Sequence, residues 1–174
     1  MVPGENYLLE MITEFSKANI RFIVAGGVAM VLHGIERMTI DLDIAVDFEQ
    51  ENIAKFLECV YRWKMVPRAP LSIDILRDTE KLAALSREKN ALVFTLVDND
   101  NPFKQIDIFI APEMSYKILS ENVQKLTVGN HDILVVSPEK LLELKENIIE
   151  PRDKDLYDIS SLKKLIKKQR QKND

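Results

Sequence analysis

The chain has 174 residues, 46% hydrophobic and 30% charged, with 24 Lys and Arg against 28 Asp and Glu for a net charge of −4. A chain of this length buries roughly two thirds of its unfolded surface, which predicts one globular domain that needs no disulfide framework, and its single cysteine, Cys59, has no partner within the chain. The longest apolar run, Phe22–Leu32, holds two glycines and falls short of the ~18 residues a membrane span needs. With no basic-then-apolar leader at its start, the sequence predicts a cytoplasmic protein that does not enter a membrane.

A first helix is predicted over about Glu5–Lys17, then a buried strand over Arg21–Ala25 that stops at Gly26-Gly27, then a short helix over Val28–Gly34. Thr39–Val46 alternates: Ile40, Leu42, Ile44 and Val46 lie on one face and Asp41 and Asp43 on the other, the period of a half-covered strand. Ile53, Phe56, Leu57, Val60 and Tyr61 recur at helical spacing over Glu49–Trp63. Strand and helix in this alternation predict an α/β class, an α+β sheet of mixed direction flanked by helices. Met65–Glu88 carries no legible pattern. Ala91–Val97 and Lys104–Ile110 read as paired strands around the turn residues 98–102, and 125–128 with 132–136 as a hairpin across Gly129-Asn130. Ser137-Pro138 opens a helix with leucines at 141, 142 and 144, and a last amphipathic helix runs from Arg152 on Leu156, Ile159, Leu162 and Ile166.

No repeat or Gly- and Pro-rich linker divides the chain, so a core over about 5–136 is expected to carry a helical extension over about 137–170. Lys163–Asp174 holds six basic residues and one acid. That tail reads as dipole complementation and solvation of a helix end; the competing reading, a grip on nucleic acid, needs a basic surface that the acidic body lacks.

Asp41-Leu42-Asp43 is the chemical centre of the sequence. Residues two apart on a strand share a face, with Cβ atoms roughly 6 to 7 Å apart, so the two carboxylates can share divalent cations; without one they repel, and one is driven toward protonation. Oxygen-only ligands favour Mg²⁺, which keeps waters and substrate phosphates in its shell. Two unconnected aspartates on a solvent-facing strand would look the same. The pair gains weight from Gly26-Gly27, where backbone N–H groups can approach a phosphate, and from Asp107, an acid within the apolar strand Ile106–Ile110, where an unpaired charge is costly. Asp74 in Ser72–Leu76 is a weaker competitor for the third place. His33 and His131 lack companions at zinc-ligand spacing, Cys59 reads as a small core residue, and Tyr61 and Trp63 as packing groups.

These residues resemble the nucleotidyltransferase superfamily typified by DNA polymerase beta: an apolar residue and two glycines (Ala25-Gly26-Gly27), thirteen intervening residues, Asp41-Leu42-Asp43, then Asp107. Arg37-Met-Thr39-Ile-Asp41-Leu-Asp43 is similar to the Arg-x-Thr-x-Asp-x-Asp version in small prokaryotic members related to AbiE-type abortive-infection toxins. Lys145 followed by Arg152-Asp-Lys154-Asp155-Leu-Tyr-Asp158-Ile is similar to a second block of theirs. The resemblance implies a nucleotidyltransferase fold and transfer of a nucleoside monophosphate from an NTP donor to a hydroxyl on RNA, protein or a small molecule, with pyrophosphate released. It further implies two Mg²⁺ ions on Asp41, Asp43 and Asp107, with Asp107 helping to deprotonate the acceptor, and Gly26 and Gly27 on the β and γ phosphates. Arg37 and Thr39 would orient the phosphates or the loop, against the equal reading of Arg37 as a salt-bridged residue at a strand entry; Lys145 and Lys154 would face phosphates, against the reading of both as surface lysines; and an antitoxin would be the partner. Residues 62–102 fall outside the resemblance and are where an acceptor surface is expected. A non-catalytic NTP-binding module of the same fold is the alternative; the presence of all three carboxylates and both glycines favours the enzyme.

Overall fold

The structure, a computed structural model, describes residues 6–173. Glu5, the expected start of the first helix, and Asp174 of the basic tail lie outside the described residues. In chain order the elements are α1 (Asn6–Lys17), β1 (Phe22–Val24), α2 (Gly26–Leu32), β2 (Asp41–Val46), α3 (Gln50–Arg62), β3 (Met65–Pro67), α4 (Thr79–Lys89), β4 (Val93–Asp98), β5 (Gln105–Phe109), α5 (Tyr116–Leu119), β6 (Val123–Val128), β7 (His131–Val136), α6 (Pro138–Glu146) and α7 (Asp153–Asn173). Single 3₁₀ turns stand at Ile73–Arg77, Pro112–Met114 and Ser120–Asn122.

The strands form one mixed sheet in the order β3-β4-β5-β2-β1-β7-β6. β2 runs parallel to β5 and antiparallel to β1, so the strand bearing Asp41 and Asp43 sits at the middle of the sheet. Its alternation is as expected on one face: Leu42, Ile44 and Val46 are buried. Ile40 departs from it, since the strand begins one residue later and Ile40 is 49% exposed. Phe94 and Leu96 of β4 and Ile106 and Ile108 of β5 extend the buried face, where Met11, Ile12 and Phe15 of α1 and Ile53, Phe56 and Leu57 of α3 complete the core. The Phe15 ring lies 5.2 Å from Phe56, 5.5 Å from Phe22 and 5.3 Å from Trp63, which makes Trp63 a packing residue. Burying each such ring contributes about 1.5–3 kcal/mol.

Local chemistry fixes the helix ends. The Glu49 carboxylate accepts from the Glu51 and Asn52 N–H groups at the start of α3, Ser137 accepts from the Lys140 N–H with Pro138 in the first turn of α6, and Asp78 accepts from the Lys81 N–H at α4. Asn52, buried on α3, accepts from the Arg21 N–H at 2.7 Å and donates to the Arg21 and Asp47 carbonyls at 3.1 and 2.7 Å, tying α3 to the ends of β1 and β2. The illegible stretch 65–88 folds as a three-residue strand, a 3₁₀ turn and most of α4.

Candidate active site

The face of the sheet opposite the core carries the chemistry. Parallel pairing of β2 with β5 sets Asp43 opposite Asp107 and Asp41 opposite Gln105, and antiparallel pairing of β4 with β5 sets Thr95 opposite Asp107. Asp41, Asp43 and Asp107 each present a carboxylate oxygen within 4.8 Å of the other two. Asp74, the weaker candidate, stands apart on the Ile73–Arg77 turn, where it accepts from the Tyr61 hydroxyl at 2.8 Å and pairs with Arg77.

The two glycines are where the chain must pass close to the carboxylates. α2 begins at Gly26 itself, two residues earlier than its apolar pattern predicts, with φ +58°. A Cβ there would stand 2.0 Å from Oδ2 of Asp43, and one on Gly27 would stand 2.6 Å from the Thr39 hydroxyl and 3.2 Å from Nη1 of Arg37. Glycine is therefore required twice at Gly26, by conformation and by space.

In this half-covered cleft the cost of ionisation falls on Asp43. Burial, then Asp41, then Asp107 push the Asp43 carboxyl up to about 7, against the opposing pull of Lys145 and the Gly27 N–H. A divalent cation would remove that penalty, and an all-oxygen donor set fits Mg²⁺ better than zinc. His33 is directed elsewhere, its Nε2 2.8 Å from the Val136 carbonyl, and His131 lies on β7. Cys59 is buried on α3.

Cations close the cleft from the side of α6 and α7. The inward face of α7 opens with Asp155 and Asp158, both fully buried, and continues with Leu162 and Ile166; Leu156 points outward and is 52% exposed. Lys145 of α6 bonds both aspartates at 2.9 Å, Arg37 donates from Nη1 to Oδ2 of Asp158 at 2.9 Å, and Arg152 donates from Nε to Oδ2 of Asp155 at 2.8 Å. The Arg152 guanidinium, with Lys145, outweighs burial and holds the Asp155 carboxyl well below the usual carboxylate range. Thr39 donates to the Asp41 carbonyl at 3.4 Å. Lys154 is exposed at the cleft rim and forms no ion pair among the described residues. The structure thus brings Gly26, Gly27, Arg37, Asp41, Asp43, Asp107, Lys145 and Lys154 to one cleft of about 350 Å³, with Thr39 behind Gly27. Gln105 and Thr95, which bond Asp107, escape a reading of the sequence alone: Gln105 carries the signal of sharing a strand face with Asp107, whereas Thr95 is found only through the strand register.

Family membership follows from the whole sequence. The profile of the family described as "Nucleotidyl transferase AbiEii toxin, Type IV TA system" matches residues 7–170. The chain belongs to the AbiEii family. It is accordingly a nucleotidyltransferase, as its glycine and aspartate motifs imply. Among solved structures, lincosamide antibiotic adenylyltransferase LnuA, lincomycin-bound, is similar over 92% of this AbiEii-family chain and 97% of its own, at a TM-score of 0.63 and 15% identity. An antigenic nucleotidyltransferase-like protein from Paracoccidioides brasiliensis is similar over 91% and 76%, at 0.53 and 14%. At these identities the likeness is one of fold. No curated protein matches the chain in sequence. Among the described residues no helix is long and apolar enough to cross a membrane.

Proposed function

We propose that this chain is a Mg²⁺-dependent toxin nucleotidyltransferase, moving a nucleoside monophosphate from an NTP to a hydroxyl acceptor with release of pyrophosphate, and that an antitoxin partner restrains it in the cytoplasm. The observation that carries the reading is the convergence of three carboxylates, one oxygen of each within 4.8 Å of the others, against a turn that only glycine can make.

Asp41, Asp43 and Asp107 would hold two Mg²⁺ ions, which when bound neutralise charge on the transferred phosphorus and the leaving pyrophosphate. Asp41 and Asp43 face the triphosphate. Asp107, at the β5 side of the triad, receives the proton of the acceptor hydroxyl as that oxygen bonds to the α-phosphorus. Gly26 and Gly27 keep the floor of the cleft low enough for the β and γ phosphates. Arg37 and Lys145, anchored by Asp158 and Asp155, supply positive charge to the donor side, with Lys154 free to swing in from the rim and Thr39 supporting the Asp41 backbone. The acceptor surface falls to the β3–β4 side of the sheet, the part of the chain that carries no shared motif.

Calorimetric titration of ATP, CTP, GTP and UTP with and without Mg²⁺ tests this on the wild type and on Asp43→Asn. Binding that requires Mg²⁺ and vanishes in the variant supports the reading and identifies the donor. Binding that ignores both metal and variant defeats it, and metal-dependent binding without pyrophosphate release in the presence of cell extract would reduce the chain to a nucleotide-binding module.

A further inference from the structure

Of the three carboxylates, Asp107 is the one held by neutral side-chain donors. Its Oδ1 accepts from the Thr95 hydroxyl at 2.7 Å and from Nε2 of Gln105 at 3.1 Å, while its Oδ2 accepts from the same Nε2 at 3.1 Å. The Gln105 amide could in principle present either end to Asp107, but Arg68 decides which. Its Nη2 donates to Oε1 of Gln105, and because a guanidinium only donates, the amide oxygen must face Arg68 and the NH₂ group must face the carboxylate. The three residues come from separate strands or their ends: Thr95 from β4, Gln105 from β5, and Arg68 from just after β3, where its N–H also bonds the Thr95 carbonyl at 2.9 Å.

A carboxylate oxygen takes about two donors or ligands. Nε2 stands 3.1 Å from both oxygens, so one amide N–H is shared between them, whereas the Thr95 hydroxyl adds a donor to Oδ1 alone; Oδ2 is the more open oxygen. We infer that Thr95 and Gln105 are positioning residues that hold Asp107 in one rotamer and turn Oδ2, its more open oxygen, to the site, with Arg68 locking the Gln105 amide. The carboxylate then presents Oδ2 to a cation and to the acceptor hydroxyl, whereas without these donors both of its oxygens are equally open. This inference rests on the assignment of Asp107 to the metal site made above. Donors that orient a metal ligand typically affect affinity 10- to 100-fold when removed.

The test uses Mn²⁺ as the probe, its affinity and electron paramagnetic resonance spectrum being measured on the full chain. Thr95→Val and Gln105→Met remove the donors at nearly constant volume, Thr95→Ser keeps the hydroxyl, Arg68→Met frees the amide, and Asp107→Asn removes the ligand. The expected result is about 10-fold weaker Mn²⁺ binding and a changed spectrum for Thr95→Val and Gln105→Met, a smaller loss for Arg68→Met, and wild-type values for Thr95→Ser, with melting temperatures in EDTA close to that of the wild type. Wild-type affinity and spectrum in both Thr95→Val and Gln105→Met, alongside loss in Asp107→Asn, overturn the inference and leave the metal site standing. Unchanged binding in Asp107→Asn, or none in the wild type, removes the metal-site reading and the inference together. If Gln105→Met does not fold, the contrast between Thr95→Val and Thr95→Ser decides the matter alone.

Discussion

A single methyl group at position 26 would have nowhere to go. It would meet the Asp43 carboxylate at 2.0 Å on a residue whose φ of +58° already disfavours any side chain, so Gly26→Ala is expected to lower stability by about 2 kcal/mol or more and abolish nucleotide binding; thermal melting and titration with NTP check both. Gly129, also at positive φ but with no atom within 4 Å of an added Cβ, is the control for conformation without crowding. Asp43 makes an opposite prediction. A carboxyl raised to about 7 binds more protons folded than unfolded, so its burden on stability is absent below its unfolded value near ~4, grows as pH rises, and is complete above about 7. Asp43→Asn should therefore melt higher than wild type at pH 8 in EDTA, by roughly 1 kcal/mol or more, and the two should converge toward pH 4. Mg²⁺ should stabilise the wild type and leave the variant unmoved. Equal melting temperatures at pH 8 in EDTA would contradict the burial and neighbouring charge that raise Asp43.

At the scale of elements, α7 is held where it enters the sheet by charge and farther along by apolar packing. Asp158→Ala would leave Arg37 without its carboxylate and Lys145 with Asp155 alone and is expected to cost about 3–5 kcal/mol, whereas breaking the exposed pair of Lys163 with Glu146 by Lys163→Ala should cost at most ~1 kcal/mol. Denaturant titration separates the two. Asp155 sets the acid limit: its folded carboxyl lies below its unfolded value, so its contribution is full above about pH 4 and is lost as pH falls toward the folded value. The stability gap between wild type and Asp155→Asn should accordingly shrink below pH 4. The same residues explain why α7 was legible as a helix but not in its facing. Hydrophobic periodicity names Leu156, Ile159, Leu162 and Ile166, yet the first two turns bury aspartates and expose Leu156, because the positive charges waiting beneath come from other elements, Lys145 on α6 and Arg37, far away in the chain. Likewise β2, α3 and α6 could be read because their apolar spacing and capping residues lie within a few positions, whereas β3, three residues long, exists only through its pairing with Val97 and its neighbours. The aspartate triad was legible since Asp41 and Asp43 share one strand face; the Thr95 and Gln105 contacts depend on register, which composition does not encode.

Taken whole, the molecule builds its cleft from three stretches far apart in the chain: Ala25 to Asp43, then Asp107 to Met114, then Leu141 to Lys154. None of these three can loosen without opening the site, so ligand binding and global stability should move together. Mg²⁺ with the cognate NTP at 100 times its dissociation constant should add about 2.7 kcal/mol, raising the melting temperature by roughly 5–11 °C; a titratable ligand with no thermal shift would argue for local closure instead. This mode of construction bears on how a cell survives making such a protein. The glycines and the aspartate triad are translated early, but the anchors of Arg37 and Lys145 are Asp155 and Asp158, on a helix that begins only at Asp153. A nascent chain halted before residue 152 holds its reactive carboxylates without the helix that orients its positive charge, and is therefore expected to be harmless when expressed as such a truncation. Ribosomal synthesis thus completes this arrangement of positive charge only once residues 153–173 are made.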